Sequence, residues 1–390
     1  MITEKDIQAA LNQNRFLFHY QPKVSLVTGA LTGAEALIRW KTPGGTIIRP
    51  AAFIPIAERS ALIKRITDHM FTELLADLAS LRASASQVVP ISFNASARDF
   101  DDLELTRKIA GAVETGTLDP SVIEIEITET EALAGGERLI RNLSILHDAG
   151  IALTMDDYGT GYSSIDTLSK WPFSTIKLDQ GLVGRMLESS KNATIVRSSI
   201  RLGHELDIKV VAEGVETGEQ CQFLLEAGCT IAQGYLISQP LPLEEFAGFH
   251  SHNTLLTGSP IGLVHMAILD HVQWRLQMVR HVIRCAQMEP GDPRRLQLGY
   301  PELDIKKCFL GRWYFGAGGA FSDQEIFYAI DVPHRKLHEL GAALVDQVHA
   351  GAQLHEVAPL LHDLSECSKV LLGLLQTLEE AGIAELHRPH

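Results

Sequence analysis

Charged and polar residues stand at the ends of several short apolar segments in the first two thirds of this sequence. The run AEALIRW, for example, carries Glu35 and Arg39 among apolar neighbours. Five further segments (SFNAS, IEIEITE, LTMDDYG, TIKLD and VVAEGVE) contribute Asn94, Glu124, Glu126, Glu129, Asp156, Asp157, Lys177, Asp179, Glu213 and Glu216. The apolar runs are typical of buried strands, so these polar residues call for an explanation in terms of chemistry.

Strand geometry predicts which of these side chains face one another. Because side chains alternate between the two faces of a strand, Glu124 and Glu126 should both face inward. Lys177 and Asp179 should likewise share the inward face of their strand. Inward carboxylates are costly unless they are paired with cations or metal ions. An ion pair is a sufficient explanation for one strand, but one lysine cannot neutralise all of these acids.

The set of oxygen donors favours hard divalent cations, Mg²⁺ or Mn²⁺, over zinc. The number of acids indicates two ions, an arrangement that suits in-line attack on a phosphodiester. Lys177 is predicted to polarise or deprotonate the attacking water, and Arg39 to hold a phosphate through two hydrogen bonds. The predicted ligands are Glu35, Asn94, Glu126, Asp156, Asp157 and Glu213.

The elements that carry these residues alternate between short strands and amphipathic helices over residues 15–240. Eight strands with intervening helices predict a (β/α)₈, TIM-like barrel, an α/β fold whose active site lies at the carboxyl ends of its strands. The first two strands are separated only by the turn VTGA, which is too short for a crossover helix. The first strand is therefore predicted to be antiparallel.

The pattern changes after Phe249, where a polar segment containing glycine and proline precedes an almost wholly helical region. Four helical stretches there predict an all-α, four-helix bundle. The predicted domains are a barrel at 1–249, a linker at 250–261 and the bundle at 262–390.

Bulk properties limit the classes of partner. A formal net charge of −14 argues against binding to long nucleic acids, although bound cations would still admit a small phosphorylated ligand. Five scattered cysteines suit a reducing cytoplasm. The first residues lack the features of a secretory signal, and no apolar run is long enough to cross a membrane. We therefore expect a cytoplasmic protein without membrane insertion.

A second set of metal-binding residue types lies in the helical region. His271, Cys308, His334 and His338 could form a closed tetrahedral zinc site, with the last two spaced four apart on one helical face. The chain has 16 histidines, so this spacing also arises by chance, and a cysteine of this kind is often a core residue.

The motifs of the first region resemble those of the EAL family, phosphodiesterases that hydrolyse cyclic di-GMP to linear pGpG. The resemblance covers about residues 5–250 and is carried, in order, by YQP, EALIRW, FNAS, EITE, DDYGTGYSS, IKLD, AEGVE and QGYLISQP. No motif residue is missing, so the chain is similar to the active members.

This resemblance implies roles for individual residues. It implies the six metal ligands above for Mg²⁺ or Mn²⁺, and Lys177 as the general base. Glu129 would anchor the DDYGTGYSS loop, and Glu216 would support the site beside it. The predicted contacts to the dinucleotide are Gln21, Arg39, Asp179 and Gln233.

Residues 262–390 are similar to the CZB family, a zinc-binding bundle found on chemoreceptors and on cyclic di-GMP enzymes. The similarity is carried by H-x-x-W, C-x-L-G-x-W and H-x-x-x-H. The segment between Trp274 and Cys308 is longer than the family pattern, so His265 or His281 could replace His271 as first ligand. Zinc would then regulate the barrel, and both resemblances imply a homodimer.

Two alternatives to a zinc-regulated phosphodiesterase remain at this point. One is a module that binds cyclic di-GMP without turnover. The other is a zinc-dependent interaction protein whose barrel serves only as a scaffold.

Overall fold

The computed structural model describes residues 2–26, 29–84, 88–159, 168, 171–249 and 261–386. These residues form two compact units, one built around a sheet and one helical. The predicted linker at 250–261 lies almost wholly outside the described residues, as do residues 160–164 of the DDYGTGYSS motif. The domain boundaries placed there therefore stay a prediction.

The sheet of the first unit closes on itself. Its order is β1-β9-β8-β7-β6-β5-β4-β2, and β1 also pairs with β2, which completes an eight-stranded barrel, while the two-residue β3 extends from β2. The prediction of a closed α/β barrel is confirmed. The strands are β1 Phe16–Ser25, β2 Leu31–Lys41, β3 Ile47–Ile48, β4 Ile91–Asn94, β5 Ile123–Thr128, β6 Ala152–Tyr158, β7 Thr175–Leu178, β8 Lys209–Ala212 and β9 Ile231–Ala232.

Strand β1 is antiparallel to both of its neighbours, β2 and β9, as the short turn after it predicts. The other barrel strands pair in parallel with one another, from β2 through β4 to β9. Their carboxyl ends therefore meet at one rim. Strand β1 runs in the opposite direction, and in its antiparallel register with β2 Gln21 is paired with Glu35.

Helices surround the barrel and cover the outward apolar residues of its strands. The longest, α3, buries Ile66, Met70 and Leu74 at helical spacing. The helices of this unit are α1 Glu4–Asn12, α2 Ile54–Glu58, α3 Leu62–Ser84, α4 Glu104–Glu114, α5 Glu129–Ala134, α6 Gly136–Asp148, α7 Gln180–Gly184, α8 Ser190–Glu205, α9 Gly218–Glu226 and α10 Leu243–Ala247.

The second unit is all helical, as predicted. Its three long helices pack against one another, and the four predicted helical stretches each contain an observed helix. A short additional helix, α13, precedes α14. The helices are α11 Ile261–Ala286, α12 Phe309–Tyr314, α13 Glu325–Ala329, α14 Asp331–His349 and α15 Leu354–Leu386.

Among the described residues, none of the helices combines the length and the apolar character that a bilayer crossing requires.

Candidate functional site

Lys177 lies at the centre of the barrel rim. It sits on β7 with its side chain fully buried, and its Nζ forms ion pairs with four carboxylates. The distances are 3.2 Å to Glu35 Oε2, 2.7 Å to Glu126 Oε2, 3.2 Å to Asp156 Oδ1 and 2.6 Å to Glu213 Oε1. Four residues that the sequence predicts as metal ligands therefore converge on the predicted base.

The charge states of this cluster follow from burial and from Lys177 at its centre. Burial by itself would lower the pKa of Lys177, but Asp156 and the other acids outweigh it and raise that pKa well above its ordinary value. Burial raises the pKa of Asp156 to about 7, although Lys177 opposes this rise. Without metal, the lysine is thus an ammonium ion that holds the carboxylates together.

The acidic ligand atoms form two overlapping groups. Oxygens of Glu35, Glu126 and Asp156 lie within 4.8 Å of one another, and so do oxygens of Asp156, Asp157 and Glu213. Asp156 belongs to both groups. The donors are all hard oxygen atoms at a separation that one cation can span, so each group could hold a divalent metal ion.

The convergence of Asp156 and Asp157 depends on an irregularity in β6. The pairing of β6 with β7 shifts register between Met155 and Tyr158, and Asp157 adopts a left-handed φ of 55°. Regular alternation would direct the two aspartates to opposite faces, whereas the bulge turns both carboxylates toward Glu213. Left-handed backbone is uncommon outside glycine and often occurs at functional sites.

Glu35 is held in place by amide side chains. Its Oε1 accepts from Asn94 Nδ2 at 2.8 Å, and its Oε2 accepts from Gln233 Nε2 at 2.7 Å. Gln233 Nε2 also donates to Gln21 Oε1 at 2.9 Å, and Gln21 Nε2 donates to the Ser238 carbonyl at 3.1 Å. The structure therefore brings together Asn94, Gln21 and Gln233, which the sequence predicts in the site, around one carboxylate.

Lys23 is a second interior lysine, and it corrects the inference that one lysine faces all the acids. Only 4% exposed, it forms ion pairs with Glu126 Oε1 at 3.0 Å and Glu124 Oε2 at 3.5 Å and donates to Ser92 Oγ. It accounts for the inward Glu124 without any metal. The signal was present in the sequence, because Lys23 follows Gln21 at the two-residue spacing of one strand face.

Arg39 and Glu35 do not form an ion pair with each other in the described part of the chain. Glu35 is engaged by Asn94, Gln233 and Lys177, while Arg39 Nη1 donates to the Ile38 carbonyl at 2.9 Å. Burial and then Arg49 lower the pKa of Arg39. Two guanidinium groups thus lie near the rim, and Arg49 is a basic residue that the sequence reasoning missed.

Three further predicted site residues have distinct surroundings. Glu129 is fully buried, and its Oε2 accepts the Gly159 backbone N–H at 2.9 Å, directly before the part of the loop outside the described residues. Asp179 caps α7, its Oδ1 accepting from the backbone of Gly181 and Leu182. Glu216 is exposed, and the structure does not bring it into either acidic group.

A cavity of about 390 Å³ opens beside the acidic groups. Its lining includes Glu35, Asn94 and Glu126, further acidic side chains, and apolar residues such as Leu37 and Ile54. Because the charged lining groups are all acidic, an anionic ligand there would need bound cations between it and the carboxylates.

The helical unit brings together three of the four predicted zinc ligands. Ligand atoms of Cys308, His334 and His338 lie within 4.8 Å of one another, and Cys308 Sγ is 3.2 Å from His334 Nε2. His338 Nδ1 is 2.8 Å from the Leu303 carbonyl, so this nitrogen donates and Nε2 is left to bind a metal. His334 Nδ1 is buried without a hydrogen-bond partner among the described residues.

His271 is buried next to this group but its Nε2 is 2.8 Å from Ser368 Oγ. Burial lowers the pKa of His271 to about 4 and that of His334 to about 3, so both rings are neutral near pH 7, as metal ligands must be. Of the alternative first ligands, His265 contacts Glu379 at the surface, and His281 belongs to a different group. His271 is not part of the group whose ligand atoms lie within 4.8 Å of one another, so its role as the fourth ligand stays a prediction.

Two residues of the C-x-L-G and H-x-x-W motifs have steric explanations. A Cβ on Gly311 would lie 1.7 Å from the Ile305 carbonyl oxygen, so only glycine fits where its N–H donates to Cys308 Sγ. Trp274 donates to the Glu302 carbonyl at 2.7 Å, and its ring centroid is 5.0 Å from that of His338. Both residues therefore contact side chains that the sequence predicts as zinc ligands and hold them in place.

Comparison with known proteins matches both units. Residues 4–240 match the family model of the EAL domain, and residues 271–345 match that of the chemoreceptor zinc-binding domain. The cyclic di-GMP phosphodiesterase RocR of Pseudomonas aeruginosa is 36% identical over 246 residues, which are 63% of this chain and 62% of RocR. The bifunctional diguanylate cyclase/cyclic di-GMP phosphodiesterase MucR of the same organism is 35% identical over 62% of this chain.

The chain spans 35% of the length of MucR and thus, as for RocR, less than two thirds of the relative. Among solved structures, the PaMucR phosphodiesterase in complex with c-di-GMP is 35% identical, with a TM-score of 0.59 over 62% of this chain and 98% of that one. The EAL enzyme Bd1971, in its form bound to cAMP and cyclic di-GMP, is 32% identical, with a TM-score of 0.60 over 63% of this chain and 67% of that one.

Proposed function

The chain belongs to the EAL domain family, and from this premise we propose that its barrel hydrolyses cyclic di-GMP to linear pGpG with two divalent metal ions. The observation that carries the proposal is the pair of acidic groups that share Asp156 around Lys177. The relatives named above, RocR and MucR, are cyclic di-GMP phosphodiesterases, and the PaMucR structure contains c-di-GMP.

The metal ligands in this proposal are Glu35, Asn94, Glu126, Asp156, Asp157 and Glu213, and the ions are Mg²⁺ or Mn²⁺. Bound there, they would withdraw charge from the phosphate and lower the pKa of the attacking water. Asn94 already contacts Glu35 through its Nδ2, so a flip of its amide would present the oxygen instead.

Lys177 acts as the general base in this proposal. The four carboxylates raise the pKa of Lys177. Divalent cations bound to those carboxylates would weaken this stabilisation of the ammonium group, and the pKa of Lys177 would then fall toward the range of a base. It then accepts a proton from water as the oxygen–phosphorus bond forms. The bond from phosphorus to the 3′ oxygen breaks, and that oxygen takes up a proton from solvent to give the linear product. Lys177 then releases the proton it accepted to solvent.

The remaining residues hold the substrate. Arg39 at the rim contacts a phosphate, and Gln21 and Gln233 contact the dinucleotide beside Glu35. The proximity of Arg49 to Arg39 supports an anion at this position. Asp179 already caps α7, so any contact from it would use the carboxylate oxygen that does not accept from that helix. Glu129 fixes the start of the DDYGTGYSS loop through Gly159.

The helical unit is proposed to bind zinc through His271, Cys308, His334 and His338 and to regulate the barrel as a homodimer. Burial raises the pKa of Cys308 to about 11, so zinc binding would release a proton from this thiol. Size-exclusion chromatography with light scattering tests the dimer, and a monomeric mass would contradict it.

A single assay tests the catalytic proposal. The full chain is incubated with cyclic di-GMP and Mn²⁺, with and without a zinc chelator, and pGpG is quantified. We expect turnover in the wild type and a loss of at least about 100-fold in Lys177→Ala, because a general base contributes roughly this much. Glu35→Ala should also abolish turnover, because it removes a ligand from one acidic group.

The matched control is Lys209→Ala, which removes an exposed lysine from a neighbouring barrel strand and should keep the wild-type rate. Binding of cyclic di-GMP without any pGpG would show a sensor rather than an enzyme. A Lys177→Ala protein with near-normal turnover would refute the assignment of the base.

A further inference from the structure

A second group of metal-binding side chains lies in the helical unit. His281 and Cys285 stand four residues apart on one face of α11, and His349 is the last residue of α14. Ligand atoms of these three residues lie within 4.8 Å of one another, as they do in the group around Cys308. His349 lies beyond residue 345, where the match to the zinc-binding domain model ends.

The packing of this group does not satisfy its polar atoms. His281 Nε2 is 3.6 Å from Cys285 Sγ, and the His281 and His349 rings stand edge to face at 5.2 Å. His349 Nε2 is buried with no hydrogen-bond partner among the described residues. Buried ring nitrogens are normally bonded, so histidines kept only for packing do not explain this arrangement.

Arg295 fixes the two helix ends that carry the group. Its guanidinium is buried, and its Nη1 donates to the Val348 carbonyl at 2.7 Å, one residue before His349. Its Nη2 donates to the Met288 carbonyl, three residues after Cys285, and its own carbonyl is 3.7 Å from Cys285 Sγ. The three donor residues are thus positioned by a shared clamp, which lowers the entropy cost of binding a ligand between them.

We propose that the helical unit binds a second transition-metal ion, of the zinc class, through His281, Cys285 and His349. Two imidazoles and one thiolate suit Zn²⁺ or Co²⁺ rather than Mg²⁺ or Ca²⁺. Three protein ligands leave a fourth position open for water, beside the half-exposed Tyr300. His281 lies ten residues after His271 on α11, about 15 Å further along the helix, so one ion cannot serve both groups.

Cobalt provides the test, because a thiolate bound to Co²⁺ gives a near-ultraviolet charge-transfer band that carboxylate ligands do not give. The metal-free full chain is titrated with Co²⁺ alone. We expect an amplitude corresponding to two thiolate–cobalt units in the wild type. Cys285→Ser and Cys308→Ser should each lose about half of it, and the double variant all of it.

Cys367→Ser is the matched control, since this cysteine belongs to neither group and should keep the full amplitude. Circular dichroism checks that each variant folds. If Cys285→Ser does not fold, His349→Gln, a change at the end of α14, is tested in its place. Wild-type amplitude in Cys285→Ser, or complete loss in Cys308→Ser, would overturn the proposal. A single unit that Cys285→Ser removes would support it and would instead count against zinc at Cys308.

Discussion

Asp156 is the residue on which both acidic groups depend. It contributes an oxygen to the group with Glu35 and Glu126 and to the group with Asp157 and Glu213. We expect Asp156→Asn to lower the hydrolysis rate by more than about 100-fold at any Mn²⁺ concentration. Loss of a residue that only supports a metal ligand already lowers metal affinity or activity by about 10–100-fold, and Asp156 is predicted to be a ligand itself.

Asp157→Asn is the matched comparison, since it alters one group only. Its rate should recover in part as the Mn²⁺ concentration rises. Hydrolysis rates over a Mn²⁺ series distinguish the variants, and an equal recovery of both would contradict a shared role for Asp156.

The charge of Asp156 also predicts a pH dependence for metal binding. Burial raises its pKa to about 7 in the metal-free protein, so a proton competes with the metal below that pH. A raised carboxyl pKa means that the competing proton is held at low pH and lost as the pH rises. The Mn²⁺ concentration that gives the half-maximal rate should therefore decrease as the pH is raised from about 6 to about 8. A constant half-maximal concentration across this range would contradict the assignment.

At the scale of the elements, the contact between α11 and α14 positions the proposed zinc ligands. Gly341 on α14 lies where a Cβ would be 2.9 Å from the Trp274 ring and 3.0 Å from Met278 Cε, both on α11. Gly341→Ala should force these helices apart and destabilise the helical unit by about 1–3 kcal/mol, the usual cost of overpacking. Denaturant unfolding followed by circular dichroism measures this change.

Gly373→Ala is the control on α15. Nothing lies within 4 Å of its Cβ position, and the residue is exposed, so alanine should stabilise the helix by about 0.5–1 kcal/mol. The two substitutions are expected to change the free energy of unfolding in opposite directions, and this difference tests the steric argument directly. If both variants gained stability, the close approach of α11 and α14 at Gly341 would not be a real constraint.

At the scale of the whole molecule, the barrel and the helical unit each contain residue groups that could hold metal ions. We expect the hydrolysis rate to depend on buffered free zinc in the wild type and not in Cys308→Ala, because coupling requires that zinc bind the two states of the enzyme differently. Cys367→Ala, outside both histidine–cysteine groups, should respond like the wild type. Identical zinc responses in wild type and Cys308→Ala would refute the regulatory proposal.

Most of the barrel could be predicted from the sequence, because strand and helix periodicities are local properties of the chain. The antiparallel β1 follows from a turn too short for a helix, and the inward direction of Glu126 and Lys177 follows from alternation along single strands. The i, i+4 spacing likewise predicted that His334 and His338 share one helical face, because this is again a local property, whereas Cys308 was linked to them by the resemblance to the CZB family.

Only the tertiary structure decided how separate elements meet. Lys23 neutralises Glu124 from across the barrel, and the bulge in β6 turns Asp157 against the alternation that its sequence predicts. The group of His281, Cys285 and His349 joins the ends of two helices more than 60 residues apart in sequence. Sequence spacing determined which face of an element each residue occupies, whereas packing between elements determined which of those faces share a site.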